Sequence, residues 1–183
     1  MITDKYGNKK WYNKKGELHR DNDLPAIEWP GGTKEWYRNG LRHRDDDKPA
    51  VIMFDGTKRW YQNDKLHRED GHAIIAPDGT KVWYLNNELH RDDKPAVEWS
   101  DGTKEWYQND KLHRVDGPAV EKSNGTKVWY LNNKLHRIKG PAIEFPSGGK
   151  LWFIEGKRLK EEEFNKIIKR RNELARWVYQ RWY

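Results

Sequence analysis

Cysteine is absent from the 183 residues of this chain, which removes disulfide frameworks, thiolate nucleophiles and Cys-ligated zinc together. Long hydrophobic runs are missing too. No stretch of about 18 apolar residues offers a membrane-spanning helix, and Met1-Ile2-Thr3-Asp4-Lys5-Tyr6 contains no apolar signal core. These absences predict a soluble, cytoplasmic protein with no membrane span. Aliphatic residues are also scarce: only 34% of the chain is hydrophobic even with Tyr counted, a level at which disorder must be considered. The deficit is met by 11 Trp and 9 Tyr, large rings that each bury roughly 150–250 Å². A net charge of +7, set against 36 basic and 29 acidic residues, suits an anionic partner without requiring one.

The chain repeats itself. Trp11, Trp36, Trp60, Trp83, Trp106, Trp129 and Trp152 recur at intervals of 25, 24 and then 23 residues, each four residues after a glycine (Gly7, Gly32, Gly56, Gly79, Gly102, Gly125, Gly148). Seven copies of one unit fill residues 6 to 159. Alternate copies are most alike, because Lys81-Val82-Trp83-Tyr84-Leu85-Asn86-Asn87 returns as Lys127-Val128-Trp129-Tyr130-Leu131-Asn132-Asn133. A duplicated pair and two alternating surroundings both account for this.

Within a unit, two stretches have strand chemistry, Thr103 to Gln108 and Pro118 to Glu121 in the fifth copy. Asp55-Gly56, Asp78-Gly79, Asp101-Gly102 and Asn124-Gly125 supply positive-φ turn positions between them. Asn109 to Gly117 reads as a wider loop at the other edge. Pro25, Pro49, Pro95, Pro118 and Pro141 stand where the second strand starts, a place where a missing N–H breaks no ladder bond. The predicted fold is all-β: a single elongated, curved antiparallel sheet of seven tandem hairpins over residues 1–159. Strand spacing gives it roughly fourteen short strands and a length of about 65 Å.

The order aromatic, x, Asn-Gly-Lys, x, His, then Gly, strand and Asp-Gly resembles the MORN repeat. Trp36-Tyr37-Arg38-Asn39-Gly40 is similar to the Trp-Tyr-x-Asn-Gly variant of YwqK-type antitoxin-like proteins. The run Leu-His-Arg-x-Asp-Gly-Pro-Ala, as at Leu112 to Ala119, is similar to tandem repeats of phage and giant-virus proteins. The chain departs from the MORN pattern at His113-Arg114-Val115-Asp116-Gly117, a longer and charged loop where that family has His-Gly-x-Gly. The resemblance implies a meandering sheet used for binding, with acidic lipids as one proposed target, and implies no active site.

Six histidines, His19, His43, His67, His90, His113 and His136, are each followed by Arg. One hairpin advances about 9–10 Å, whereas zinc needs its nitrogens about 2.0–2.1 Å away, so neighbouring rings cannot share an ion. Near-identical copies offer no distinctive catalytic constellation either. The histidines are therefore expected to hold loop backbone. Of the arginines, Arg91, Arg114 and Arg137, with Lys139 beside the last, are candidate partner contacts; local ion pairing with the acids that follow most of these arginines is the alternative. The Trp and Tyr columns must lie on opposite faces of a strand, either as the core or as stacking platforms.

After Leu159 the pattern changes. Residues 160–183 read as one basic amphipathic helix, with Phe164, Ile167, Ile168, Leu174, Ala175, Val178 and Trp182 on one stripe and Glu161, Glu162 and Glu163 in the first turn, favoured by the helix dipole. It is expected to cap the last hairpin. Lys166, Lys169, Arg170, Arg176 and Trp177 face away from the stripe and are candidate contacts for RNA, DNA or an acidic protein.

No cofactor, metal or enzymatic activity is implied. The expected function is non-catalytic protein binding by a repeat scaffold, with a host or cognate protein as partner; the resemblance to viral repeats adds the reading of a phage or mobile-element inhibitor that occludes a host protein. The alternative is binding to a nucleic acid or ribonucleoprotein through the late repeats and the helix. An open terminal strand also allows an edge-to-edge homodimer.

Overall fold

Each repeat is organised around one Trp that joins two kinds of hairpin. In the computed structural model, the backbone is described for residues 1–182 and side chains for residues 1–177. The second repeat shows the plan. Strand Lys34–Glu35 leads into Trp36, a hairpin of Tyr37–Arg38 and Leu41–Arg42 follows, and after a charged loop the chain returns as Val51–Ile52. Trp36 donates its N–H to the Ala50 carbonyl (2.8 Å) and accepts from the His43 N–H (3.2 Å), so its main chain serves both hairpins.

The chain forms two units, Met1–Gly102 with Gln108–Asp110, and Thr103–Tyr107 with Lys111 onward. In the first, an antiparallel ladder runs in sequence order from Ile2–Thr3 to Val97–Glu98, with the register Glu28↔Lys34, Lys34↔Ile52 and Ile52↔Lys58 repeated along it. In the second, the ladder runs from Lys104–Glu105 to Lys157–Leu159 with the equivalent register Lys104↔Glu121, Glu121↔Lys127 and Lys127↔Glu144. An antiparallel sheet of tandem hairpins followed by one helix is what the repeat pattern predicts.

Two features differ from that prediction. Among the described residues the strands number 25 rather than about fourteen, most of them two residues long. The surplus comes from inside the expected wide loop, where Asn63-Asp64, Asn86-Asn87 and Asn132-Asn133 are two-residue turns with positive φ at both positions, the geometry that matches strand twist. Asp55-Gly56 is instead part of a longer connection. Gly56 alone takes positive φ (89°), and its N–H closes a turn onto the Met53 carbonyl (2.9 Å), the three-residue loop with a left-handed Gly.

The extra hairpins form a second row. Asp64 and Asn87 donate their N–H groups to Arg42 and Leu66 carbonyls of the preceding hairpins (3.0 and 2.9 Å), and Asn133 does the same to Leu112 (3.0 Å). The side chains return a bond: Asn87 Oδ1 accepts the Leu66 N–H and Asn133 Oδ1 the Leu112 N–H, both at 2.7 Å. That reciprocal pair of bonds uses both the donor and the acceptor of one backbone position to tie each turn to the hairpin before it.

The core is narrow. Ala26, Ala50, Ala73, Ala96, Ala119 and Ala142 are all 0% exposed. Against them lie Trp36, Trp60, Trp106 and Trp129, with Ile27, Val51, Val97, Val120 and Val128 also buried. Among the described residues no large side chain is fully covered.

The helix, α1 (Glu161–Trp182), packs against strand Lys150–Ile154. Glu163 reaches back to accept the Lys160 N–H (3.0 Å), which ties down a free donor at the helix start. Of the expected apolar stripe only Phe164 is buried and Ile168 half-buried; Ile167, Leu174 and Ala175 are exposed. The side chains of Val178 and Trp182 lie outside the described residues. Among the described side chains, burial on the helix is thus confined to Phe164 and, in part, Ile168, near the last strand, which ends at Leu159.

Candidate functional site

The histidines serve the turns. His19 Nδ1 accepts the Asn39 N–H (3.1 Å), His67 Nδ1 the Asn86 N–H (3.2 Å) and His136 Nδ1 the Glu155 N–H (3.1 Å). A ring that accepts at Nδ1 carries its proton on Nε2 when neutral, and His19 Nε2 meets Asp21 Oδ1 at 3.0 Å. These three imidazoles each staple one hairpin to the next turn, whereas the buried Nδ1 of His43 has no hydrogen-bond partner among the described residues. Among the described residues no cluster of three or more His, Asp or Glu could hold a metal ion.

The arginines serve the tryptophans. Arg91, Arg114 and Arg137 lie over the rings of Trp83, Trp106 and Trp129 at 4.2, 3.9 and 3.7 Å from the centroids, in cation–π geometry. Nη1 of each donates to a proline carbonyl, Pro95, Pro118 or Pro141 (3.1–3.2 Å), and to Glu98, Glu121 or Glu144 respectively. Their side chains keep 16–30% exposure. The carboxylates that neutralise them come from the ladder, not from the acids immediately following each Arg.

The second and third repeats use a different partner. There the ladder position occupied elsewhere by Glu is Ile52 or Ile75, and Arg44 and Arg68 instead clasp Asp23 and Asp47 with two parallel bonds each, 2.7 and 3.0 Å, and 2.8 and 2.7 Å. The Arg44 guanidinium holds the Asp23 carboxyl down to about 2. Asp47 is lowered by Arg68 in the same way.

Of the cations singled out from the sequence, those left without an ion pair to a described residue lie in the second unit, most of them along α1. Lys166, Lys169, Arg170 and Arg176 are exposed and form no ion pair with any described residue. Lys166, Arg170, Leu174 and Trp177 follow one another at helical spacing, which puts them on one face; Leu174 is 64% and Trp177 55% exposed. On the side toward the last repeat, a cleft of about 560 Å³ is lined by apolar Ile138, Trp152 and Ile168 and by cationic Lys139, Lys150 and Arg171. Glu161 also borders it.

No protein-family model matches this chain, and no curated protein matches it. The MORN resemblance accordingly rests on its motif residues alone.

The geometry joins Lys139 to the helix across the cleft, but through Arg171 rather than through the four basic residues singled out from sequence. Arg171 falls one position from Arg170, a rotation of about 100° on a helix, which turns it to the packed side. Arg91, Arg114 and Arg137 occupy separate repeats, each engaged by the Trp, Pro and Glu of its own repeat. Lys150, by contrast, sits at a lysine position present in every copy, which the sequence reading passed over.

Proposed function

We propose that this chain is a non-catalytic protein-binding scaffold whose contact surface is the exposed face of α1 and the cleft beside it, and whose partner presents an acidic, partly apolar segment. The observation that carries this is the combination of Leu174 and Trp177, both more than half exposed, with exposed Lys166, Arg170 and Arg176 on the same helix. Exposed apolar area among cations matches a complementary acidic surface, since charge steers the encounter and aromatic anchors supply binding energy. The internal use of the repeated His and Arg side chains supports a framework role for the repeats. The finer reading, an inhibitor from a phage or mobile element that occludes a host protein, is supported by the tandem-repeat resemblance.

The test is affinity capture from nuclease-treated lysate with the full chain and with L174A/W177A/R170Q. A protein held by the wild type and lost from the variant supports the proposal. Equal capture by both overturns it, as does a partner that disappears with nuclease, which would favour the nucleic-acid alternative.

A further inference from the structure

Every repeat places one lysine at the same ladder position: Lys9, Lys34, Lys58 and Lys81 in the first unit, and Lys104, Lys127 and Lys150 in the second. All seven are exposed, and none has a side-chain hydrogen bond or ion pair with a described residue. Residues directly opposite in an antiparallel ladder share a face. Lys34 stands opposite Glu28 and Ile52, Lys58 opposite Ile52 and Ile75, and Lys127 opposite Glu121 and Glu144. The lysines therefore form a single file on one face within each unit.

The acids on that face are already occupied. Glu28, Glu98, Glu121 and Glu144 are paired with Arg20, Arg91, Arg114 and Arg137 at 3.0, 3.4, 3.0 and 2.6 Å. Each Glu–Arg pair is close to neutral, so the ladder glutamates opposite the lysines do not neutralise them. Trp36, Trp60 and Trp106 share the face by strand alternation, but they are 7% exposed beneath their guanidinium groups. Trp11, Trp83 and Trp152, at the same position in other repeats, are half-buried, so the face offers evenly spaced point charges with its indoles largely covered.

From this we infer that the lysine column binds the phosphate backbone of duplex nucleic acid without reading its sequence. Successive lysines are two strands apart, about 9–10 Å, and one strand of a duplex carries a phosphate every ~3.4 Å of axis. With both strands counted the duplex carries a charge about every 1.7 Å of axis, so each lysine of the file, on its flexible four-carbon stem, has a phosphate within reach wherever either backbone turns toward the ladder. Single strands are disfavoured because their sequence-independent binding depends on stacking bases against exposed rings. The proposal does not depend on the helix face; the two surfaces share only Lys150, which lines the cleft and is left unchanged in the test.

The experiment is fluorescence anisotropy of labelled duplex DNA with the full chain, titrated at salt between about 50 and 200 mM. The triple variant K34Q/K58Q/K81Q is expected to bind roughly tenfold or more weakly, with the slope of log K against log salt reduced by about 0.9 per lysine removed. K34R/K58R/K81R is expected to retain binding, and both variants to keep the wild-type far-UV spectrum and melting temperature, because these lysines hold nothing in the fold. K166Q/K169Q/R170Q/R176Q is expected to bind duplex as the wild type does. No duplex binding at about 50 mM salt, tighter binding of single strands than of duplex, or loss in the helix variant with retention in the glutamine triple would each overturn the assignment.

Discussion

Arg44 of the second repeat is clasped by Asp23 of the first through Nε–Oδ1 and Nη2–Oδ2 bonds of 2.7 and 3.0 Å while its guanidinium lies 3.8 Å from the Trp36 ring centroid. One planar group thereby joins two repeats and covers a core ring. Asp23 exists for this purpose only because the first two charged loops are one residue longer than the later ones: five positions separate Arg20 from Pro25 and Arg44 from Pro49, against four from Arg91 to Pro95. Lysine keeps the charge but loses both the fork and the flat contact. R44K is therefore expected to lower stability by about 1–2 kcal/mol, read as a lower urea midpoint at unchanged m-value. An unchanged midpoint would remove the Arg–Trp–Asp assembly from the account of stability.

The same pair predicts acid sensitivity. Asp23 has a folded-state value of about 2 against an ordinary 3.8, so between those values the unfolded chain binds more protons than the folded one. Its contribution is complete above the ordinary carboxyl value and is lost as pH falls through about 2. Stability measured from pH 5 down to 2 should decline less steeply in D23N, which starts lower at neutral pH. Parallel curves for the two proteins would refute the coupling.

The repeat, its Trp column and the antiparallel hairpins were legible because Gly, Trp and Asp-Gly recur at fixed spacing. The second hairpin row was not, although Asn39-Gly40 is a hairpin signal, because strands such as Tyr84–Leu85 and Glu88–Leu89 have only two residues each and show no alternation to count. The Arg partners were equally hidden, since Asp23 and Arg44 are 21 positions apart and only the register brings them together. The lysine column was visible as a repeated residue, but its lack of partners appears only when every neighbouring carboxylate is assigned. For α1 the helix was legible, but of the described members of the expected stripe only Phe164 is buried and Ile168 half-buried, while Leu174 is 64% exposed, since how much packs depends on where the ladder stops.

His72 makes a local pH device. It takes the position held by Pro25, Pro49, Pro95, Pro118 and Pro141 in other repeats, and its ring lies edge-on to Trp83 at 5.5 Å between centroids. Burial lowers its pKa, opposed by the Glu98 carboxylate 3.4 Å away and reinforced by Arg91 and Lys81. The folded state thus favours the neutral ring, so His72 supports stability above the ordinary value of 6.5 and loses that support as pH falls below it. In H72P, restoring the residue the other repeats use, the melting temperature should fall less between pH 7 and pH 5 than in the wild type. An identical fall would show that His72 does not titrate in this window.

The turn at Asn86-Asn87 separates backbone from side-chain demands. Asn87 has φ of 73° and its Oδ1 accepts the Leu66 N–H. Gly meets the first demand and loses the second; Ala loses both. The expected order of stability is wild type, then N87G, then N87A, with each step worth about 1 kcal/mol. If Gly and Ala are equivalent in thermal melts, the left-handed conformation is not what selects Asn here.

The alanine column sets how closely consecutive strands approach. Ala50 is 0% exposed and its carbonyl takes the Trp36 N–H at 2.8 Å, so a larger side chain at this point cannot move into solvent without opening the ladder beside the indole. A50L adds apolar volume to a narrow core and should nevertheless destabilise, by about 1–3 kcal/mol, through overpacking. A119L applies the same insult in the second unit, where Ala119 is also 0% exposed and bonded to Trp106. The measurement is urea unfolding followed by Trp fluorescence. If either leucine raised the midpoint, the column would contain unused space and the close approach of ladder to indole would not be the constraint that keeps alanine in all six of these repeats.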